Sequence, residues 1–204
     1  MLPPEAIQKL IRNMFNLRAA GHPSPIAARK GTRDTLIDLW NKAGYKEGVE
    51  IGVSRGEFSE KILRGVEGVK LHGIDPWDTY PDSKLTTEKQ ADNYRITTER
   101  LAKFIGSGHC VIHKEYSDKA SEKFEDGSLD FVFIDGMHTF DGCVLDLIKW
   151  CPKVRKGGMV ALHDYCPMNR NGVIKAVDSY TYCHQIHPWF VTREIINTAF
   201  WVVE

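Results

Sequence analysis

Four short stretches of this chain carry the residues best suited to chemistry. "VEIGVSRGEF" holds Glu50, Gly52, Ser54 and Gly56, and "GIDPW" holds Asp75. "IDGMH" holds Asp135 and His138, and "LHDY" holds His163 and Asp164. Each follows an apolar run with the length of a buried strand. A glycine turn after such a strand is where a parallel sheet meets a ligand. A pyrophosphate-binding turn has the form G-x-G-x-x-G, whereas the string here is E-x-G-x-x-x-G with Ser54 in the middle. A carboxylate at Glu50 repels phosphate and suits an ammonium or sulfonium group. Asp75, at the end of the next strand, is placed to accept both hydroxyl protons of a ribose. A nucleoside with a positive charge and no phosphate is S-adenosylmethionine.

The other two stretches form the reacting end. Neighbouring parallel strands lie about 4.8 Å apart, so the ends at Asp135 and at His163–Asp164 can converge. Asp135, His163 and Asp164 then make a candidate set for a divalent cation, magnesium or manganese. His138, with Asp135 beside it, is the candidate catalytic pair. An imidazole near its ordinary pKa takes a proton from a hydroxyl acceptor around neutral pH.

These groups need a scaffold that brings strand ends together, and the pattern supplies one. Apolar runs at 48–53, 70–75, 110–115, 129–135 and 158–163 alternate with helix-like segments at 56–65, 86–105, 117–124 and 140–151. That alternation predicts a single α/β domain, a doubly wound, mostly parallel Rossmann-like sheet of seven strands. A helix at 172–183 precedes "WFVTRE" and "TAFWVVE", which predict a C-terminal antiparallel hairpin closing the sheet. Upstream, Thr32 is the expected N-cap and Gly44 the stop of a helix through "RDTLIDLWNKAG". Residues 3–19 have helical periodicity in Ile7, Leu10, Ile11, Met14, Phe15 and Arg18, and "GHPSP" reads as a hinge. Residues 1–30 are therefore expected to form an N-terminal helical extension, a lid or a homo-oligomer interface, and 31–204 the domain proper.

"GVEIGVSRGEFS", "LHGIDPW", the block "GSLDFVFIDGMHTFDGCVLDLIKWCPKVRKGGMVALHDY" and the closing hairpin resemble the class I S-adenosylmethionine-dependent methyltransferases. Within them the likeness is to metal-dependent small-molecule O-methyltransferases of the sugar, macrolide and catechol type, over about residues 32–204. The resemblance implies that Glu50 meets the methionine amino group, that Asp75 holds the ribose, and that Trp77, Tyr116 and Ser117 enclose the adenine. It also implies a carboxylate after the fourth strand and an acidic pair after the fifth. Here His163 replaces the first member of that pair.

Composition narrows the partners. Lys+Arg and Asp+Glu both number 27, so no net charge favours nucleic acid or an anionic membrane. Five cysteines with no C-x-x-C spacing read as reduced thiols, and the sequence begins with no signal-peptide core, so a cytoplasmic location is expected. The loops 77–92 and 165–172 fall at strand ends, where Tyr80, Tyr165, Asn169, Arg170 and Asn171 suit a polar acceptor such as a sugar or phenol. Three other readings stay open at this point. His138, His163 and Asp164 (or Asp135) also fit a ferrous oxygenase. The sheet fits a nicotinamide dehydrogenase, and the turn fits a non-catalytic cofactor-binding module.

Overall fold

The computed structural model describes residues 2–17, 23–79 and 85–204. Helix α1 (Pro4–Phe15) starts on paired prolines and is followed by a two-residue strand, β1 (Ile26–Ala27). Helix α2 (Arg33–Ala43) begins on a capping box at Thr32 and stops on left-handed Gly44, as its sequence predicts. Strands β2 (Glu47–Ile51), β3 (Lys70–Ile74) and β4 (Cys110–His113) then alternate with α3 (Glu57–Gly65) and α4 (Thr87–Gly106). The short α5 (Ser117–Ser121), β5 (Leu129–Ile134), α6 (Phe140–Trp150) and β6 (Val154–Leu162) complete the parallel part. Helix α7 (Gly172–Cys183) leads into β7 (Trp189–Val191) and β8 (Ala199–Val202).

The strands form one sheet in the order β1-β7-β8-β6-β5-β2-β3-β4. It has eight strands where seven were expected. The additional one, β1, pairs parallel with β7 through Ile26↔Phe190 and Ala27↔Val191. Two residues give no readable periodicity, and their pairing is fixed by the hairpin across from them. The antiparallel strand is also not at the border: β8 lies between β6 and β7, antiparallel to both.

Side-chain alternation sends the sheet's apolar residues to two faces. On one face Phe131, Phe133, Phe190 and Phe200 meet α1, α2 and α3. Trp40 of α2 stacks on Phe131 at 4.2 Å between centroids. On the other, Val49, Ile51, Val132 and Val160 meet α6 and α7. Ile7, Ile11 and Phe15 of α1 are fully buried in the first face, with the Phe15 and Phe200 rings 4.9 Å apart. Each such side chain contributes about 1.5–3 kcal/mol by burial. The apolar stripe of α1 is thus committed to this chain's own core, and residues 26–27 add a strand to the sheet. The five cysteines are unpaired thiols. Among the described residues, no helix is long and apolar enough to cross a membrane.

Candidate active site

The chain moves outward from β2 to β3 and β4, then returns to the other side of β2 as β5. The switch point between β2 and β5 is where an open sheet leaves a crevice. A cleft of about 330 Å³ lies there. Its walls come from the carboxyl ends of β2, β3, β4 and β5 and from α6.

At the end of β2, the Asp135 N–H donates to Ile51 O at 2.8 Å and the Gly52 N–H to Ile74 O at 2.9 Å, stitching three strand ends together. Gly52 sits at φ +86, and a Cβ there would stand 2.1 Å from the Asp135 carbonyl oxygen, so only glycine allows this approach. Ser54 occupies φ +53, the conformation that a glycine in the usual motif would adopt freely. A side chain there costs about 1–2 kcal/mol. The surroundings hold it in place. The Ser54 N–H donates to Asp75 Oδ2 at 2.9 Å, while its carbonyl accepts from Trp77 Nε1 at 2.7 Å and Thr97 Oγ1 at 2.8 Å.

Asp75 opens onto the cleft, and its second oxygen accepts the Trp77 N–H at 2.7 Å. Burial raises its pKa, and the backbone donors of Ser54, Trp77 and Val53 oppose that rise. Each oxygen keeps a lone pair for a ligand donor. Trp77 is buried against Tyr94, with 4.9 Å between centroids, and braces the Ser54 turn from behind. Tyr116 and Ser117 line the cleft at the end of β4. Glu50 is 2 % exposed and lies behind the wall, where its carboxyl accepts from the Ser59 hydroxyl. Burial pushes its pKa up to about 8, with Ser59 pulling the other way and the nearby Asp135 charge adding to the rise.

The reacting end differs from the expected set. Asp135, His138 and Asp164 bring donor atoms within 4.8 Å of one another. His138 Nε2 is 2.6 Å from Asp164 Oδ2 and 3.5 Å from Asp135 Oδ1. These contacts are ion pairs rather than aligned hydrogen bonds, since Nε2 is buried without an aligned partner. His163 does not belong to the cluster. Successive residues at a strand end point to opposite faces. His163 therefore turns toward Phe133 and bonds Thr198 Oγ1 at 3.2 Å, while Asp164, at φ +59, turns its carboxylate to His138. His138 takes the ligand position assigned to His163. Its expected role as a base near its ordinary pKa also changes. The carboxylates of Asp135 and then Asp164 push the imidazole up to about 10 against burial, so it is an imidazolium at neutral pH.

Two site residues escaped the sequence reading. Arg33, in the first turn of α2, places Nη1 3.5 Å from Asp135 Oδ2 and its guanidinium 5.0 Å from the Phe58 ring centre. Asp146 of α6 is 6 % exposed, lines the cleft, and accepts the Ser117 hydroxyl at 2.5 Å. Burial pushes its pKa up to about 6. A signal for Asp146 exists: it stands among Cys143, Leu147 and Trp150 on the buried stripe of α6. Arg33 has none, because its partner is 102 residues away.

Among the acceptor-side expectations, Tyr165 points away, donating its hydroxyl to Asp178 Oδ1 at 2.8 Å. Asn169, Arg170 and Asn171 form a left-handed run that stays beside the site. It is seated by Gly172, where a Cβ would stand 2.4 Å from the His138 carbonyl oxygen. Tyr80 lies outside the described residues.

A mostly parallel sheet with this switch-point cleft and a reversed strand inside its C-terminal side is a Rossmann-like methyltransferase fold. Residues 49–165, which contain every site carboxylate named above, match the family described as a methyltransferase domain, and the chain belongs to that family. No curated protein is similar enough in sequence to count as a relative. Solved structures share the fold. An O-methyltransferase from Bacillus cereus in complex with S-adenosylhomocysteine superposes with a TM-score of 0.62 at 14% identity, covering 98% of this chain and 90% of that one. The O-methyltransferase TomG from Streptomyces achromogenes, involved in tomaymycin synthesis and bound to S-adenosylmethionine, gives 0.59 at 15% identity, with 98% and 90% covered. The methyltransferase PaMTH1 from Podospora anserina gives 0.61 at 11%, with 84% and 78% covered.

Proposed function

We propose that the protein transfers the methyl group of S-adenosylmethionine to a hydroxyl of a polar small molecule, with a divalent cation held by Asp135, His138 and Asp164. One observation carries this reading: three donor atoms converge, His138 Nε2 lacks an aligned partner, and Asp135 and His138 line the same cleft as Asp75. Two carboxylates and an imidazole suit magnesium or manganese. The bound ion would orient the acceptor hydroxyl and lower its pKa.

The residues of the chain do the positioning. Asp75 accepts the ribose hydroxyls, while Tyr116 and Ser117 form the wall for the base. Glu50 supplies the negative charge behind Gly52 for the methionine ammonium, whose arrival favours its ionised form. The His138 proton on Nε2, stabilised by Asp135 and Asp164, leaves when a cation takes that position, so cation loading improves as pH rises. Methyl transfer needs an in-line approach to the sulfonium, and the stitched strand ends fix that approach. Family membership favours methyl transfer over nicotinamide or iron–oxygen chemistry.

The test is a panel of phenols and sugars incubated with S-adenosylmethionine and manganese or magnesium, following S-adenosylhomocysteine. The expected outcome is methylation of a hydroxyl, at least tenfold slower after chelation. Product formation unaffected by chelator and by added ion would remove the cation from the proposal.

A further inference from the structure

A second cavity, of about 620 Å³, runs along the outer edge of the sheet beside β1. Arg29 and Arg193 stand over it, with Pro23 and Pro25 among its walls. Both arginines come from the segments that leave the β1–β7 pair. After the pairs Ile26↔Phe190 and Ala27↔Val191, the Ala28 N–H donates to Val191 O at 2.8 Å. The Arg29 N–H then donates to Phe15 O at 3.1 Å and the Arg193 N–H to Gly31 O at 2.8 Å, and both residues line this one cavity. Two like charges at one cavity repel.

Among the described residues neither guanidinium has an ion pair, a side-chain hydrogen bond or an aromatic face. The nearest carboxylate in sequence, Glu194, has its Oε1 engaged elsewhere. That oxygen accepts the Arg33 N–H at 2.8 Å, the Thr192 hydroxyl at 2.7 Å and the Thr198 hydroxyl at 3.3 Å. By contrast, Arg64 pairs with Glu60, and Arg95 with Asp92 and Glu99. Two unpartnered guanidinium forks over a concave surface are suited to bidentate capture of an oxyanion.

The cavity lies on the reacting side of the molecule. Gly31, which holds Arg193, is two residues from Arg33, a span of at most about 7 Å. Arg33 in turn contacts Asp135. The same 192–198 loop is tied to the residue after Asp164, since the Tyr165 N–H donates to Asn197 O at 2.9 Å. We propose that Arg29 and Arg193 form an oxyanion site for a phosphate or carboxylate group on the acceptor, whose hydroxyl reaches the Asp135–His138–Asp164 centre. The assignment of that anion to an acceptor rests on the methyl-transfer reading; the anion site itself does not.

The test is an amide-resolved NMR titration of the whole chain with inorganic phosphate and, separately, with succinate, alongside a calorimetric titration with S-adenosylhomocysteine. The site predicts saturable shifts at Arg29, Gly31 and Arg193 with a millimolar midpoint. The exposed double variant Arg29→Ala/Arg193→Ala should weaken that binding at least tenfold and leave S-adenosylhomocysteine affinity unchanged. Tighter binding of phosphate points to a phosphorylated acceptor, and tighter binding of succinate to a carboxylate. Absence of saturation, or the same midpoint in the double variant, overturns the inference. If S-adenosylhomocysteine binds and neither anion does, this inference fails alone; if an anion binds and S-adenosylhomocysteine does not, the methyl-transfer reading fails instead.

Discussion

The two halves of the cleft are built on opposite terms. At Asp75 each carboxylate oxygen already holds a backbone N–H, and the Ser54 turn is fixed by two further hydrogen bonds. That half is preorganised, and a ligand finds its partners in place. At Asp135, His138 and Asp164 the charges face one another, and Nε2 has no aligned acceptor. On the proposed reading a cation completes that half. A site that binds with one half and reacts with the other is expected to respond differently to damage in each.

The largest effect is expected at the reacting half. Asp164→Ala should lower methyl transfer by about 10³-fold or more, the scale of lost positioning and ion-assisted activation. Its S-adenosylhomocysteine affinity should stay within about threefold, because Asp164 touches only His138 among the site's charges. Steady-state kinetics beside calorimetry makes this check. Parallel losses in both would erase the distinction between the halves.

An intermediate effect is expected behind the wall. The folded protein keeps Glu50 protonated to about pH 8, whereas an unfolded glutamate ionises near 4.5. The folded state therefore binds more protons through that window, so this group makes stability fall as pH rises from about 4.5 to 8. Glu50→Gln removes the slope. In thermal melts without ligand, its Tm relative to the wild type should climb by several degrees between pH 5 and pH 8.5. A constant difference across that range would mean that Glu50 is not held neutral.

The smallest effect is at the turn. Ser54→Gly relieves the left-handed strain and adds chain entropy to the unfolded state, two terms that oppose each other. The strain is the larger, so a gain of about 0.5–1 kcal/mol is expected in denaturant melts. A loss of stability would show that the serine side chain contributes more than its backbone costs.

Much of this was legible in the sequence, and the failures follow a pattern. The caps at Thr32 and Gly44, the strand–helix alternation and the carboxylates at strand ends are local signals. The misassignments concern direction and distance. His163 and Asp164 are adjacent in sequence, yet opposite facing sends one to Thr198 and the other to His138. Strand β1 is too short to show a period, and its existence depends on β7 far along the chain. Arg33 and Asp135 meet only after the sheet is assembled. The His138 pKa depends on two carboxylates brought from different strands, so no reading of the residue alone could supply it.

The measurement closest to the central claim is calorimetric binding of S-adenosylhomocysteine to the wild type and to Asp75→Ala. The wild type should bind, and the variant should bind about 10–100-fold more weakly, the loss of one or two hydrogen bonds to a charged acceptor. Equal affinity in the two proteins would contradict the assignment of this cleft to the nucleoside.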